Sequence, residues 1–279
     1  MVSRGIDALM KFVDEDMQAQ ACFGLAFETW CAGICEEFGL SGTPDIEKIL
    51  GVSQWEMIYN CIASFFLSNT YSDPQGRDWN AVNAFLSSPA GKKLDKAKKH
   101  YLASLRDSHM SLYQVVEIIP DFSLTLQDVV EDVSPVTVSE KLGTRCLKRG
   151  DIVAAKICEE SSGTKVMSGG ILSIAPDMEE DIVADIRFLH AGTMELARMA
   201  AKKETPAFGS LESAEHLARN MWSTVIGEAY MQRHIRDALL YSAIRKSASG
   251  KKGSKKAPAG KKKTATARKL TKKAKEKVH

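Results

Sequence analysis

Apolar residues recur at Phe23, Phe27, Trp30, Ile34 and Phe38, and this spacing of fours and threes lays one stripe along a helix that stops at Gly39. Thr43-Pro44-Asp45 supplies a cap, a first-turn proline and an early acid for a short helix ending at Gly51. Val52-Ser53-Gln54-Trp55-Glu56-Met57 reads as a capping box, with Ser53 and Glu56 as the reciprocal pair and Val52 and Met57 as its staple. The helix it opens is expected to run to Ser68. Beyond the polar stretch 69–77, Asp78 and Ser88-Pro89 are expected to begin two more helices, the second carrying Leu94, Ala97, Tyr101 and Leu105. Residues 1–107 are therefore predicted to be a helical region.

The period changes from Ser111 onward. Short β-branched runs around Tyr113 to Ile118, Leu124 to Val130, Val136 to Val138, Ile152 to Ile157, Lys165 to Met167 and Ile171 to Ile174 are separated by turn signals. Those signals are Pro120-Asp121, Ser134-Pro135, Arg149-Gly150-Asp151, Ser161-Ser162-Gly163 and Ser168-Gly169-Gly170. Strands this short fit a small barrel or a strongly bent sheet over residues 108–177. Helical spacing returns at Ile182, Ile186, Leu189, Thr193, Leu196 and Ala200, breaks at Pro206, and resumes over 211–245 with Ala214, Leu217, Met221, Val225, Ala229 and Leu239 on one side. Residues 178–246 are predicted to pack back on the body, and residues 247–279 to form a disordered Lys-rich tail. The fold class is α+β: a helical N-terminal part, a small β-barrel-like module, C-terminal helices and a disordered basic tail.

Charge changes the picture. Residues 246–279 hold thirteen lysines and one arginine against the single acid Glu276, a net charge of +13. That leaves 24 basic and 34 acidic residues in 1–245, a body of net −10 hidden behind an overall +3. The tail contains almost nothing that could be buried, and a solvated polycation seeks a polyanion. Its candidate nucleic-acid-binding residues are Lys251, Lys252, Lys255, Lys256, Lys261, Lys262, Lys263, Arg268, Lys269, Lys272, Lys273, Lys275 and Lys277. Lysines without interleaved aromatics neutralise phosphates and read no bases. An acidic protein, an anionic lipid surface or the acidic body itself are the other partners a polycation could take. A secondary basic face is expected from Lys92, Lys96 and Lys99, which share one side of a predicted helix, with an ordinary solvated face as the plain alternative.

The tail resembles the Lys/Ala/Pro-rich C-terminal extensions of linker histones and of bacterial histone-like proteins. The stretches Leu105-Arg-Asp-Ser-His-Met-Ser-Leu-Tyr, Leu126-Gln-Asp128, Val138-Ser-Glu140 and Leu147-Lys-Arg-Gly-Asp-Ile-Val-Ala-Ala-Lys-Ile157 resemble a module of uncharacterised bacterial proteins, some of which end in the SEC-C zinc-binding motif. That motif is absent here, so this resemblance implies a fold and no activity.

The remaining candidates are weaker chemically. Residues 47–59 are similar to a helix-turn-helix signature at Gly51, Val52 and Ser53, but Glu47 stands where a small residue lets the helices touch. The would-be reading helix offers Gln54, Glu56 and Asn60 without a cation. Asp107-Ser108-His109 sets three triad residue types side by side, where adjacent residues cannot face one another. Glu212, Glu215, His216, Glu228 and His234 lack the paired E-x-x-H motifs of a di-iron bundle, and a solvated helix face accounts for them. Cys22, Cys31, Cys35, Cys61, Cys146 and Cys158 form no C-x-x-C pair, and core packing in a reducing compartment suits them better than a thiolate metal site. No phosphate-loop, dinucleotide or hydrolase motif occurs, and neither a catalytic residue, a metal nor a cofactor is expected.

Residues 1–16 carry no continuous apolar run, and the run 57–67 is too short to span a bilayer and is interrupted by Asn60 and Ser64. The expectation is a cytoplasmic, nucleoid-associated, non-enzymatic protein without a membrane span. Its tail binds DNA or RNA without sequence preference while the folded body contacts a protein partner or a second copy. The alternative is a protein-interaction or adaptor module with an accessory polycationic tail.

Overall fold

The computed structural model describes residues 5–72, 75–131, 133–202 and 211–250. Met1–Leu239 forms one unit; the second, Leu240–His279, is described only over the last turns of its helix, where the Arg245 guanidinium lies 5.4 Å above the Tyr241 ring. The α+β class is as expected, with helices on both sides of a small β-barrel in sequence.

Helices α1 (Ile6–Glu15), α2 (Met17–Phe38), α3 (Thr43–Leu50) and α4 (Val52–Ser68) open the chain. Asp16 caps α2 by accepting from the Ala19 N–H at 2.8 Å. Gly39, at φ 62°, closes it in the left-handed conformation that glycine adopts at least cost. The predicted stripe is real: Trp30 and Ile34 are buried, with Phe23, Phe27 and Phe38 packed against the same core. The capping box is not. The N-cap of α4 is Gly51 rather than Ser53, no side chain caps the helix, and Ser53 and Glu56 lie within it, exposed.

Strands β1 (Tyr71–Ser72) and β2 (Asp78–Trp79) form a short antiparallel ladder before α5 (Ala81–Ser87). Asp78 is therefore strand rather than a helix start. Asn80 takes the capping role, accepting from the Asn83 N–H at 3.1 Å while its amide donates to the Leu67 and Asn69 carbonyls at the end of α4. The helix expected from Ser88-Pro89 is two, α6 (Pro89–Lys92) and α7 (Lys96–Asp107), because the Asp95 carboxylate caps a fresh start through the Lys98 N–H at 2.8 Å.

The barrel follows: β3 (Met110–Ile119), β4 (Ser123–Asp128), β5 (Val136–Ser139), the short α8 (Gly143–Cys146), β6 (Ile152–Glu159) and β7 (Lys165–Ile174). It closes in the order β3-β4-β5-β7-β6, with β5 and β7 parallel and the other neighbours antiparallel. β3 serves two partners: Met110 to Gln114 pair with β6, and Tyr113 to Ile119 pair with β4 along a ladder that a bulge interrupts between Val115 and Glu117. This order, with a helix after the third strand, is the Greek-key topology of the OB barrel. Tyr113, Val115, Leu124, Leu126, Val138, Val153, Ala155 and Met167 fill its interior as a core of their own.

Ser168-Gly169-Gly170, expected as a turn between strands, lies inside β7. There β7 uses Gly169, Gly170 and Ile171 opposite Ala155 alone. The glycines are required by α4, which lies against them: a Cβ on Gly170 would stand 2.3 Å from the Met57 carbonyl oxygen. Helices α9 (Glu179–Lys202), entered through the 3₁₀ turn Pro176–Met178, and α10 (Leu211–Gly250) complete the described chain. The buried apolar side chains of α10 are Ala214, Ala218, Trp222, Ile226, Tyr230, Met231 and Ile235; of the expected stripe Ala214 is buried and Val225 and Ala229 pack on the core, whereas Leu217 and Leu239 are exposed. Gly227 faces Trp30 there, and the ring occupies the place of a side chain. No described helix is long and apolar enough to cross a membrane.

Candidate nucleic-acid interface

Residues Lys251 to Lys277, the first-choice cations of the sequence, lie outside the described residues. Of the secondary face, Lys92 ends α6 whereas Lys96 and Lys99 belong to α7, so the three do not share one helix. Lys99 Nζ is tied back to the Lys92 carbonyl at 2.8 Å, and the neighbouring Lys98 pairs with Asp95 at 3.0 Å. The single predicted helix is thus a capped junction between two, across which Lys99 is brought against Lys92.

The helix-turn-helix likeness loses its reading helix to the core. From Ser64 to Ser68 every residue of α4 is buried, and its N-terminal exposed positions, Val52, Ser53, Glu56, Tyr59 and Asn60, carry no cation. Lys156 of β6, fully buried, donates from Nζ to the Ser64 carbonyl at 2.8 Å and to Ser68 Oγ at 2.5 Å. With no carboxylate to offset burial, its amine is pushed down to about 7.

The adjacent Asp107, Ser108 and His109 part ways. Asp107 pairs with Arg106, Ser108 Oγ donates to the Leu105 carbonyl, and His109 turns edge-on to Trp222 with ring centroids 5.1 Å apart. Burial first, then the charges of Arg219, Lys156, His216 and His190, push the His109 imidazole down to about 3. Arg219 donates to Glu215 at 2.8 Å and pairs with Glu131 at 2.9 Å, while His190 Nε2 stands 3.2 Å from Glu215. Around them is a cleft of about 270 Å³. Arg219 is matched by two carboxylates and Arg187 donates to the Val130 carbonyl at 3.4 Å, an arrangement that fastens the chain after β4 to α9 and α10.

The other acids and histidines of α10 also scatter. The Glu212 side chain lies outside the described residues, His216 meets the Asn220 amide at 3.0 Å, and His234 stacks on Tyr230. Glu228 is half-buried beside Gly33, with its carboxyl raised by burial and by Glu37. Among the described residues no group of three metal-ligating side chains converges. Cys22, Cys31, Cys61 and Cys158 are buried, Cys35 half-buried and Cys146 exposed.

What the barrel leaves outside is more informative. α4 lies on β7 and α7 on β6, whereas the outer face of β4, β5 and the far half of β3 meets solvent. It presents Thr125, Gln127, Thr137 and Ser139 with Glu117; Thr125 Oγ1 lies 3.2 Å from Thr137 Oγ1 and donates weakly to Glu117 at 3.4 Å.

At the end of this face Pro120-Asp121-Phe122 turns β3 into β4, with the Phe122 N–H donating to the Ile119 carbonyl at 3.0 Å. Proline in the second turn position and a positive φ in the third follow the type II pattern. That third residue is Asp121, the one described non-glycine residue with positive φ, at 60°. Asp121 is pinned twice: its N–H donates to Thr144 Oγ1 at 2.9 Å, and its carboxylate pairs with Arg145 at 2.6 Å. The turn thereby holds Phe122 out, 71 % exposed, at the same barrel end as Ile119 (49 %) and Leu142 (70 %).

Pro120-Asp121 is the turn that the sequence predicts, and Phe122 is not among the candidate residues that charge and motif point to. The available signal was an aromatic residue directly after a turn, just ahead of the inward-facing Leu124 and Leu126. No family model, curated protein or solved structure matches the chain.

Proposed function

We propose that this chain is a non-enzymatic nucleic-acid-associated protein, anchored by its C-terminal polycation and organised by its folded body. The observation that carries the reading is the charge division: fourteen cations against one acid in residues 246–279, joined to a body of net −10. A polycation of this density gains affinity by releasing counterions condensed on phosphates, without reading bases. The body, at net −10, opposes a polyanion on balance, so the greater part of the general affinity is assigned to the tail. An OB-type barrel with polar side chains open to solvent on β4 and β5 is an architecture compatible with a polynucleotide, and it supports the reading at the level of fold only.

The test is a fluorescence-anisotropy titration of a random-sequence duplex and an unstructured oligonucleotide across a salt series. It compares the full-length chain with a full-length variant whose lysines from Lys251 to Lys277 are replaced by glutamine. The expected log-log salt slope for the natural chain on duplex approaches roughly −10, and the substituted chain should lose most binding at physiological salt. Equal binding by both chains overturns the reading.

A further inference from the structure

Resting on that reading, we infer that the turn at Pro120–Phe122 is a contact point for one base of a single-stranded nucleic acid, with Phe122 as the stacking platform. Four features of the turn and its surroundings converge. Phe122 offers most of its ring to solvent, although an aromatic ring at a strand end normally folds onto the barrel.

The backbone beneath it is fixed, since the Arg145 and Thr144 contacts to Asp121 hold a left-handed residue that would otherwise relax. The ring is therefore presented in one place, which lowers the ordering cost of binding.

Polar groups that suit bases continue from it. Thr125, Gln127, Thr137 and Ser139 lie on the same outer face, uncharged and able to donate and accept. Cations are also near in the chain: Lys141 is exposed, and the Arg145 guanidinium is held at the turn itself.

A duplex hides its base faces within the stack, so a platform of this kind selects single strands. The tail gives every nucleic acid a hold on the chain, and the turn distinguishes one class from another. A single negative feature sharpens the assignment. The Glu117 carboxylate stands on this face with only the weak Thr125 contact, whereas Asp121 is neutralised by Arg145 and Glu140 accepts from the Gly143 N–H at 2.8 Å. Glu117 should therefore oppose a phosphate backbone laid across the face.

The experiment uses the full-length chain and its Phe122→Ala, Phe122→Trp and Glu117→Gln variants, titrated with a labelled fifteen-nucleotide oligo-dT (a probe length of roughly one to two OB site sizes) and with a duplex of equal length. Phe122→Ala is expected to weaken the single strand by roughly 5- to 100-fold and to leave the duplex within about 2-fold, because base-aromatic stacking is lost and phosphate neutralisation is not. Phe122→Trp should retain binding and show quenched emission from the new indole. Glu117→Gln should tighten the single strand a few-fold, about 2- to 5-fold at low salt.

Unchanged single-strand affinity in Phe122→Ala overturns the inference, as does an equal loss on both probes. A change of oligomeric state in Phe122→Ala by sedimentation, with oligonucleotide affinity intact, assigns the turn to a second copy and overturns it as well. If the natural chain binds neither probe, the proposed function itself has failed. Phe122 is exposed, and circular-dichroism melts should show every variant folded.

Discussion

The Lys156 Nζ and the Ser64 carbonyl oxygen, 2.8 Å apart, join the middle of a barrel strand to the last turns of α4. The same carbonyl accepts from Ser68 Oγ at 3.3 Å, so the buried amine adds a second side-chain donor to this turn of the helix and finds its own acceptors there. Because the folded chain holds this amine down to about 7 from its ordinary 10.5, the folded state releases a proton that the unfolded chain keeps between those values. Stability contributed by this site therefore rises with pH above 7, by at most about 1.4 kcal/mol per pH unit. Urea melts at pH 7, 8 and 9 should show the natural chain gaining on Lys156→Met across that window. Parallel curves would remove Lys156 from the account.

His109 makes the opposite edge of the pH range sensitive. Its imidazole, pushed down to about 3 from 6.5, refuses a proton that the unfolded chain accepts. Stability from this site is complete above 6.5 and is lost as pH falls toward 3, again by no more than about 1.4 kcal/mol per unit. Thermal melts between pH 7 and pH 4 should fall more gently for His109→Phe, which keeps an aromatic ring against Trp222.

Three glycines separate close approach from ordinary helix chemistry. A Cβ on Gly170 would stand 2.5 Å from Cys61 Sγ, and one on Gly227 would stand 2.1 Å from the Trp30 ring. Gly170→Ala and Gly227→Ala should each destabilise by about 1–3 kcal/mol or more, read from denaturant midpoints. Gly192 of α9 has nothing within 4 Å of such an atom, and Gly192→Ala should stabilise by about 0.5–1 kcal/mol through helix propensity.

Arg219 bridges Glu131 after β4 and Glu215 on α10 with all three side chains partly exposed. A double-mutant cycle of Arg219→Ala with Glu131→Ala should return a coupling of about 0.2–1 kcal/mol that shrinks in high salt. A coupling of several kcal/mol would mark the cleft as drier and more tightly built than its exposure indicates.

Periodicity made α2 legible down to its Gly39 stop, because one stripe from Phe23 to Phe38 faces one core. It also made the barrel legible as a set of short strands. It failed where a residue beyond the local stretch decides. Asn80 rather than Asp78 starts α5 because its side chain also closes α4, and Asp95 divides what spacing joins. Gly169 and Gly170 look like a turn but make room for a helix more than a hundred positions away. For the interface, charge counting located the tail and nothing else. Phe122 escaped notice because exposure follows from how Asp121 is pinned by residues over twenty positions on, which no local pattern encodes.

The closed strand order has one more consequence. In a barrel that meets itself each strand has a neighbour on both sides, with the β5–β7 seam, a single pair of Ser139 and Val166, as its shortest ladder. Between β4 and β5 the ladder is made over four residue pairs, so that face offers its side chains. Thr125, Gln127, Thr137 and Phe122 are free to change without disturbing the pairing beneath them. The outer face of the barrel can therefore vary in sequence while the fold beneath it is kept.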